Sequence, residues 1–413
     1  MKFLSPKNIY LDNAGATPIN KEVAKIVALY EREFFANPSS IYTSGVKVRN
    51  IIEENRNKIA KLINAHSDEI IFTGSGTESD ALAILGVIKN YELKVKNEKK
   101  ESKIPHIVTT QIEHPAVLEN CKVLEEKGEA EVTYVSVDKN GIINLDELEE
   151  SLKENTILVS VMYANNEIGT IQPIEEIAKI IRRFRKSNSC SSRFPLLHTD
   201  ACQTMNYLFT ENIEKLGVDL MTFNSSKIYG PKGVGVLYVK RGVELAPLYR
   251  GGGQEFGLRS GTESVSLIAG LALALEITNK IKEKEFIRLT KIRDYGIKKL
   301  LSLSMVSGYK ISLNGDREKR LPNNINISIS GISSELLVVE LSARGIYVSE
   351  KSACKSDNND KSHVIKAIRK ICPKDKEEGS IRISLGRCNK IGDVDVLYKE
   401  LKKILEKYSG NKR

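Results

Sequence analysis

A single lysine, Lys227, lies between small polar residues and a Gly/Pro turn, within the run Asn224-Ser225-Ser226-Lys227-Ile228-Tyr229-Gly230-Pro231-Lys232-Gly233. Apolar runs typical of strands flank it at 220–223 and 234–239. Burying a lysine at a strand end desolvates its charge and lowers its pKa, and a neutral amine can form a Schiff base with an aldehyde cofactor. A solvated lysine in a hairpin is the commoner arrangement for such a stretch taken alone, so other residues must decide.

An aspartate and a glutamine precede Lys227 near the end of another predicted strand, 196–199. Asp200 comes directly after that strand, and Gln203 follows three residues later. A carboxylate that faces a pyridine nitrogen keeps the ring protonated and makes it an electron sink. Gln203 could reach a phenolic oxygen of the same ring. An aspartate that caps a helix or lies at the surface is the alternative for Asp200.

A glycine-rich turn, Thr73-Gly74-Ser75-Gly76-Thr77-Glu78-Ser79, joins a predicted strand to a predicted helix. Its glycines allow the backbone to approach a ligand, and the helix N-terminus favours an anion such as phosphate. The turn is not a nucleotide P-loop, because no Gly-Lys-Ser/Thr closes it. A tight connection between strand and helix, without a ligand, is the alternative to an anion site here. An anion site at Gly76 and Thr77, followed by Asp200 and Lys227 at strand ends, matches the needs of pyridoxal phosphate.

Three further side chains could contact such a ring or its substrate. His114 follows a predicted strand at 106–109 and could stack on a flat ring or move protons, although a histidine that caps the next helix is equally compatible. Asn166 follows a predicted strand at 157–163 and could bond a ring oxygen or a substrate carboxylate, but asparagine is also common in turns. Arg382 lies in an apolar strand, where its guanidinium matches a carboxylate ligand or a structural ion pair.

One cysteine, Cys354, lies in the polar run 352–362, which lacks the apolar periodicity of a helix or a strand. This pattern predicts an exposed loop, whereas free cysteines are usually buried. Because Lys351 and Lys355 flank it, Cys354 is a candidate reactive thiol.

Strand and helix patterns alternate over the first half of the chain, with the charged run 94–102 interpreted as a solvated insertion. Such alternation predicts an α/β fold with a mostly parallel sheet covered on both faces, and the carboxyl ends of its strands are where ligand sites form. Farther on, the pattern changes to two long helices, 262–280 and 284–303, then to short strands and a final helix. We therefore predict a large α/β domain at 14–263 and a smaller α+β domain formed by 1–13 and 264–413.

The composition is that of an ordinary globular protein of 413 residues, with 41% hydrophobic and 28% charged residues. The net charge of +10 is scattered, and no aromatic-interleaved basic stripe predicts nucleic-acid binding, although a basic patch could attract an acidic protein partner. The first residues lack the apolar core of a signal peptide, and the longest apolar run, 267–275, is too short to span a membrane. The six cysteines form no CxxC pair, which favours a cytoplasmic location and argues against a structural zinc site.

In combination, these motifs resemble those of the pyridoxal-phosphate-dependent cysteine desulfurases of the NifS/IscS type. The resemblance extends nearly end to end, from Tyr10-Leu11-Asp12-Asn13 to the final helix. The segments that carry it are 72–79, 113–117, 165–169, 200–203, 227–233, 259–262, 352–354 and 382–386. It implies a homodimer of the PLP-dependent transferase fold type I, an α/β fold, with the site near the subunit interface.

The resemblance also implies roles for the matching residues. Catalysis would fall to Lys227, which forms the Schiff base and moves protons, to His114, which stacks on the ring, and to Cys354, which attacks the substrate sulfur. Arg382 and Asn166 would bind the substrate. The implied cofactor-binding residues are Gly76, Thr77, His114, Asn166, Asp200, Gln203, Asn224, Ser225, Ser226, Lys227 and, from the partner subunit, Thr262.

The implied reaction converts L-cysteine to L-alanine and leaves a persulfide on Cys354, from which sulfur passes to acceptor or scaffold proteins for iron–sulfur cluster assembly or tRNA thiolation. No resident metal is implied, although Cys354 could transiently ligate an iron–sulfur cluster. A related aminotransferase, a selenocysteine lyase and a non-catalytic scaffold of the same fold are the alternatives. Cys354 favours desulfuration, because an aminotransferase has no need of such a thiol. The chain departs from the family pattern at Ser226, Phe256 and Glu350-Lys351.

Overall fold

The computed structural model describes residues 8–98, 103–187, 193–208, 212–350, 362–369 and 378–409, so Cys354 lies outside the described residues. The strands are β1 (Ile9–Tyr10), β2 (Ile70–Thr73), β3 (His106–Thr110), β4 (Glu131–Val135), β5 (Thr156–Ser160), β6 (Leu196–Asp200), β7 (Leu220–Asn224), β8 (Gly235–Val239), β9 (Ile311–Leu313), β10 (Asn324–Ser330), β11 (Ile346–Tyr347) and β12 (Glu378–Ser384). The helices are α1 (Lys21–Glu33), α2 (Thr43–Leu62), α3 (Gly76–Glu98), α4 (Pro115–Glu126), α5 (Leu145–Glu150), α6 (Ile174–Ser187), α7 (Ile213–Leu216), α8 (Val265–Leu301), α9 (Ser304–Ser307), α10 (Ser334–Ser342), α11 (His363–Arg369) and α12 (Ile391–Ser409).

Seven strands form the central sheet, in the order β2-β8-β7-β6-β5-β3-β4. The strands β3 to β7 pair in parallel, whereas β8 pairs antiparallel with both β2 and β7. Because two antiparallel pairings separate β2 from β7, β2 runs in the same direction as the parallel strands. The carboxyl ends of β2 to β7 therefore lie at one edge of the sheet, and the predicted α/β fold with a mostly parallel sheet is confirmed.

Adjacent residues of the central strands supply two separate hydrophobic cores. In β6, Leu197 packs with side chains of α1, α2, α6 and α8, whereas Leu196 packs on the opposite face with side chains of α3 and α4. The same split divides Val108 from Ile107 in β3. A strand covered on both faces needs apolar side chains in both directions, which is why these strands are continuous hydrophobic runs.

A third core lies in the C-terminal part, around the antiparallel sheet β12-β10-β9 and helices α10 and α12. The start of the chain joins this part, because β1 pairs with β11 and Asp12 forms a bridge with Ser384. Helix α8 packs against α1 and α2 on one side and against α12, β9 and β10 on the other. The division into 14–263 and 1–13 with 264–413 stays a prediction, since α8 belongs to both sets of contacts.

Two local predictions are wrong. The two long helices expected at 262–280 and 284–303 are one continuous helix, α8, because the residues between them, Ile281, Lys282 and Glu283, include no Gly or Pro that would end a helix. The charged run expected to begin a solvated insertion at Lys94 continues α3 as far as Glu98, and Lys94 pairs with Glu244 at 2.8 Å.

Within the ranges described above, none of the helices combines the length and apolar character needed to cross a bilayer.

Candidate active site

A cavity of about 250 Å³ lies at the carboxyl edge of the central sheet. The segments that follow β2, β3, β5, β6 and β7 converge on it, because these strands end at the same edge. The residues predicted from the sequence that line the cavity are Gly76, Thr77, His114, Asn166, Asp200, Gln203, Asn224, Ser226, Lys227 and Arg382. The structure thus brings together groups from six separate parts of the chain.

Lys227 ends a 3-10 turn, Ser225–Lys227, that directly follows β7. Its Nζ donates hydrogen bonds to the carbonyl oxygens of Ala14, at 2.9 Å, and Gly15. The Gln203 Nε2 donates to the same Ala14 oxygen at 3.1 Å. The turn at Ala14 and Gly15 was not predicted as part of the site. It holds the lysine amine and the Gln203 amide on one wall of the cavity.

Ser226, which departs from the family pattern, fixes this arrangement through its backbone. Its carbonyl oxygen accepts hydrogen bonds from the Thr17 N–H and from the Thr17 hydroxyl, each at 3.0 Å. Its hydroxyl lies 3.3 Å from the Asn224 Oδ1. The side chains of Ser226 and Asn224 therefore face the cavity as a small polar pair beside Lys227.

The glycine-rich turn leads directly into α3, whose first turn faces the cavity. The Ser75 hydroxyl accepts the Glu78 N–H at 3.1 Å, and the Glu78 carboxylate accepts the Gly74 N–H at 2.7 Å. The first N–H groups of a helix have no partner within the helix, so those of Gly76 and Thr77 remain available for an anion. A Cβ at position 76 would lie 2.8 Å from the Cys202 sulfur, so only glycine fits this approach.

His114 caps α4 and so fixes its own tautomer. Its Nδ1 accepts the Ala116 N–H at 3.1 Å, which leaves the proton of the neutral ring on Nε2. Burial lowers the pKa of His114, and the positive charge of Lys227 lowers it further, while Asp200 opposes the shift. The side chain is therefore a neutral imidazole that presents an N–H donor. The sequence left a helix cap and a place in the ligand site as alternatives for His114. In the structure His114 both caps α4 and lines the cavity.

Glu113 is a buried carboxyl group that the sequence prediction missed. Both of its carboxyl oxygens lie 3.0 Å from the Met162 N–H, and the Thr110 hydroxyl donates to it at 2.6 Å. Burial raises the pKa of Glu113 to about 8, although these hydrogen bonds oppose the shift. Glu113 ties the loop that carries His114 to the end of β5.

Two aspartates lie at the base of the cavity. Asp200 ends β6, and its Oδ1 accepts the Cys202 N–H at 2.8 Å. Asp80, which was missed in the sequence, is fully buried, and its Oδ1 lies 3.6 Å from the His198 Nε2. The signal was present, because Asp80 follows Gly76 by four residues on α3 and therefore shares its helix face.

Arg382 is 1% exposed and binds groups from two distant segments. Its Nη2 donates to the Asp12 carboxylate at 2.7 Å, and its Nη1 donates to the Asn166 carbonyl oxygen at 3.0 Å. Its buried Nε has no hydrogen-bond partner among the residues that the structure describes. The structural ion pair considered as an alternative is therefore present, and one donor of the guanidinium still lacks an acceptor.

Among the described residues, two predicted site residues do not line the cavity. Ser225 is completely buried, and its hydroxyl points toward the backbone of Gly230. Thr262 is exposed to solvent. Cys354 lies outside the described part of the chain, but described residues on either side of that gap contact Arg382, which lines the cavity, and Glu167, which follows the lining residue Asn166. Ser349 pairs through its backbone with Arg382 on one side, and the Ser362 hydroxyl donates to Glu167 at 2.5 Å on the other.

A family model described as aminotransferase class-V matches residues 9–397. The chain belongs to this family. It is 43% identical to cysteine desulfurase IscS of Dictyoglomus turgidum, with 97% of this chain and 95% of that one covered. It is 42% identical to cysteine desulfurase IscS 1 of Archaeoglobus fulgidus, over 96% and 97% of the two chains. A solved NifS-like protein is 37% identical, with a TM-score of 0.84 and coverage of 96% and 99%.

Members of this class-V family depend on pyridoxal phosphate, and the cavity fits that cofactor. An amine on Lys227, unpaired helix N–H groups at Gly76 and Thr77, and a carboxylate on Asp200 line one enclosed space. These are the groups that an aldehyde, a phosphate and a pyridine nitrogen require. The predicted cofactor is therefore matched by the chemistry of the residues present.

Proposed function

We propose that this class-V family member is a pyridoxal-phosphate-dependent cysteine desulfurase that converts L-cysteine to L-alanine and leaves the sulfur as a persulfide on Cys354. The observation that carries the proposal is the convergence of Lys227, Asp200 and the start of α3 on one cavity. Relatives that bear the name cysteine desulfurase and match nearly the whole chain support the same assignment.

The cofactor, when bound, supplies an aldehyde for the substrate amine and a ring that delocalises the electrons of the substrate Cα. Gly76 and Thr77 would hold its phosphate through backbone N–H groups, together with Asn224 and Ser226 and with Thr262 of the partner subunit, whereas the buried Ser225 hydroxyl does not face the cavity. Asp200 would pair with the ring nitrogen. Gln203 and Asn166 would bond the ring oxygen, and His114 would cover the ring face.

Lys227 and His114 are two groups with fixed positions that would act on the substrate in different ways. The Lys227 amine, held at the Ala14 and Gly15 carbonyls, would remove the substrate α-proton when it is not bound to the cofactor. His114 presents its Nε2–H, because its Nδ1 is occupied by the helix cap. As a neutral imidazole it is therefore suited to donate a hydrogen bond from Nε2, while the proton itself stays on the ring.

Substrate binding would use Arg382 and Asn166. The guanidinium of Arg382, which lines the cavity, would bind the carboxylate of L-cysteine, and charge-assisted hydrogen bonds of this kind orient planar carboxylates. Asp12 holds the other side of the guanidinium at 2.7 Å and so fixes its orientation before substrate enters. A solved structure described as SspA in complex with cysteine, 32% identical with a TM-score of 0.73, supports this substrate class.

Sulfur transfer requires a second thiol. The Cys354 thiolate would attack the substrate sulfur, so that an S–S bond forms as the carbon–sulfur bond breaks, and the electron pair and a proton remain with the alanine product. On either side of the segment that contains Cys354, Ser349 pairs with Arg382 of the cavity wall and Ser362 binds Glu167, which follows the lining residue Asn166. Acceptor or scaffold proteins would then take the sulfur, in iron–sulfur cluster assembly or tRNA thiolation.

The proposed enzyme is a cytoplasmic homodimer. Large apolar side chains are exposed in one region, with Phe35 84%, Ile41 94% and Phe256 60% accessible. Pro38, Ser39 and Phe256 line a common surface pocket there. An exposed apolar region of this kind supports burial against a second copy. The cysteine pattern, without CxxC pairs, supports a reducing compartment.

The decisive test measures alanine and sulfide released from L-cysteine with a reductant, for the wild type and for Cys354→Ala and Lys227→Ala. We expect both variants to lose sulfide release, with Cys354→Ala retaining the yellow colour of bound cofactor and Lys227→Ala losing it. Sulfide release by Cys354→Ala at the wild-type rate would contradict the proposal. A protein that stays colourless after addition of pyridoxal phosphate would instead indicate a non-catalytic scaffold.

A further inference from the structure

The short helix α11 packs behind one wall of the cavity, and the proposed function gives it no role. Its apolar face contacts Ile112, Met162 and Ile168, which belong to the loops that follow β3 and β5. Met162 also lines the cavity, whereas none of the described residues of α11 does. The helix therefore lies one layer of side chains behind the groups that would face a ligand.

The first residue of α11, His363, holds the loop that carries His114. Its Nε2 lies 3.0 Å from the carbonyl oxygen of Glu113, the residue directly before His114. Because a carbonyl oxygen only accepts hydrogen bonds, the His363 ring donates from Nε2–H. That carbonyl belongs to the planar peptide group that ends at the His114 nitrogen, so its orientation is passed to the backbone of His114.

The residue before it, Ser362, holds the loop that carries Asn166. The Ser362 hydroxyl caps the first turn of α11 and donates to the carboxylate of Glu167 at 2.5 Å. Glu167 directly follows Asn166, and its carbonyl oxygen accepts hydrogen bonds from the side-chain amides of Asn324 and Asn326, each at 3.0 Å. The turn after Asn166 is thus fixed from two directions, by α11 and by β10.

The start of α11 therefore links two loops that reach the cavity from different strands. Both His114 and Asn166 line the cavity. Because Ser362 and His363 are consecutive, the distance between their backbones is fixed by covalent geometry. Two loops that are held by consecutive residues of one rigid element cannot move apart independently.

We propose that Ser362 and His363 are positioning residues that keep the loops of His114 and Asn166 at the spacing which the cofactor ring requires. This inference rests on the proposed function, in which His114 covers the ring face and Asn166 bonds the ring oxygen. A shift of either loop changes one of these contacts relative to the other. Ser362 and His363 act only through Glu167 and Glu113, the residues that they bind.

The effect on His114 can be observed in the full chain without cofactor, through the nitrogens of its ring. The protein has five histidines, so labelling with 15N in histidine alone gives few ring signals, and His114→Gln identifies those of His114. In the wild type we expect a neutral ring with its proton on Nε2, because the helix cap occupies Nδ1. His363→Phe keeps a ring without a donor, so the released loop should give His114 signals averaged between two tautomers.

Rescue by a conservative variant separates donation from packing. His363→Gln retains a side-chain N–H at a similar reach, so the His114 signals should match those of the wild type. Unchanged His114 signals in His363→Phe would overturn the proposal. So would a His363→Gln variant that behaves as His363→Phe does, because the hydrogen bond to Glu113 would then not be the cause.

The effect on the cofactor is measured as the dissociation constant of pyridoxal phosphate. We expect His363→Phe to weaken binding about 3- to 10-fold, the usual effect of losing one hydrogen bond, and His363→Gln to restore the wild-type value. The loss stays partial, because the Asn165 amide also ties the two loops by donating to the Ile112 carbonyl oxygen at 2.9 Å. Ser362→Ala should weaken binding similarly, whereas Ser362→Thr keeps the hydroxyl and should not.

Arg369→Ala provides a matched control at the other end of α11. The Arg369 Nη2 donates to the Ser312 hydroxyl and to the Asn314 side-chain oxygen, each at 2.7 Å, and these contacts are with β9 and the residue after it. Cofactor affinity and the His114 signals should therefore equal those of the wild type. Losses as large as those of His363→Phe would mean that α11 acts only through packing, and the proposal would be wrong.

The Ser362 variants decide the question if His363→Phe does not fold, because equal cofactor affinities of Ser362→Ala and Ser362→Thr would also overturn the proposal. If the wild type binds no pyridoxal phosphate, the proposed function fails. The ring signals of His114 still decide, in that case, whether His363 positions it.

Discussion

At the scale of single residues, Arg382 combines a structural and a binding role. Its guanidinium is held by Asp12 and the Asn166 backbone, and the residue lines the cavity in which L-cysteine would bind. We expect Arg382→Lys to raise the KM for L-cysteine about 10- to 100-fold, because lysine cannot keep both contacts and loses a charge-assisted hydrogen bond of about 1.5–3 kcal/mol. Steady-state kinetics with saturating pyridoxal phosphate measure this change.

The cofactor affinity of Arg382→Lys is the internal control for that measurement. Because Arg382 would bind substrate and not the cofactor ring, its replacement should leave the dissociation constant of pyridoxal phosphate unchanged. An unaltered KM for L-cysteine would show that Arg382 only stabilises the fold through Asp12.

Glu113 gives the protein a pH-dependent stability. Its pKa in the folded protein is about 8, raised by burial from a usual value of 4.5. A carboxyl group with a raised pKa stabilises the fold fully below its unfolded pKa, and this contribution is lost as the pH rises through 8. Between those limits we expect the wild type to lose roughly 1.4 kcal/mol of unfolding free energy per pH unit from this group.

Glu113→Gln should remove this dependence, because an amide does not titrate. The urea concentration at the unfolding midpoint should then decrease less between pH 5.5 and pH 7.5 in Glu113→Gln than in the wild type. The same comparison at fixed cofactor concentration separates the effect from cofactor binding. Parallel decreases in the two proteins would mean that Glu113 is already ionised at the lower pH.

At the scale of elements, the start of α3 leaves no room for a side chain at position 76. A Cβ at position 76 would lie 2.8 Å from the Cys202 sulfur and 2.9 Å from the Asn224 Nδ2. Gly76→Ala must therefore shift the helix start away from the cavity, and we expect pyridoxal phosphate to bind at least about 10-fold more weakly, equivalent to about 1.4 kcal/mol. Fluorescence titration with the cofactor measures the affinity.

Gly392→Ala is the matched control for Gly76→Ala. Gly392 also lies in the first turn of a helix, α12, but a Cβ there meets no atom within 4 Å. This substitution should leave cofactor affinity unchanged and stabilise the protein by roughly 0.4–1 kcal/mol, because alanine restricts the unfolded chain. Equal affinities for the two variants would contradict the phosphate site at Gly76.

The sequence predicted the elements that build the site better than the contacts between them. Strand ends and their loops are local features, so Asp200, Lys227 and Gly76 could be assigned to one edge of a sheet before the fold was known. The Asp12–Arg382 pair spans 370 residues, and the contact of Lys227 with Ala14 spans 213, so no local pattern indicates either. Continuous helix α8 was missed for a different reason, because a polar stretch inside a helix looks like a break when its packing is unknown.

At the scale of the whole molecule, the proposed homodimer would bury the exposed apolar region around Phe35, Ile41 and Phe256. Arg56 lies under the Phe256 ring, 5.2 Å from its centroid, and Phe256 has a φ of 57°, a strained value for a bulky residue. A strained backbone conformation persists only where surrounding contacts hold it, and such residues are concentrated at functional positions. The strain at Phe256 therefore supports a role for this residue at an interface with a second copy.

We expect Ile41→Asp to convert a dimer into monomers, because a buried unpaired carboxylate in each half of the interface costs several kcal/mol. Analytical ultracentrifugation of the full chain measures the mass, and Met305→Asp is the control, since Met305 is 89% exposed at α9, away from this region. If Thr262 of the partner subunit completes the phosphate site, monomeric Ile41→Asp should also bind pyridoxal phosphate more weakly than Met305→Asp. A monomeric wild type, or an Ile41→Asp variant that remains dimeric, would exclude this surface as the subunit interface.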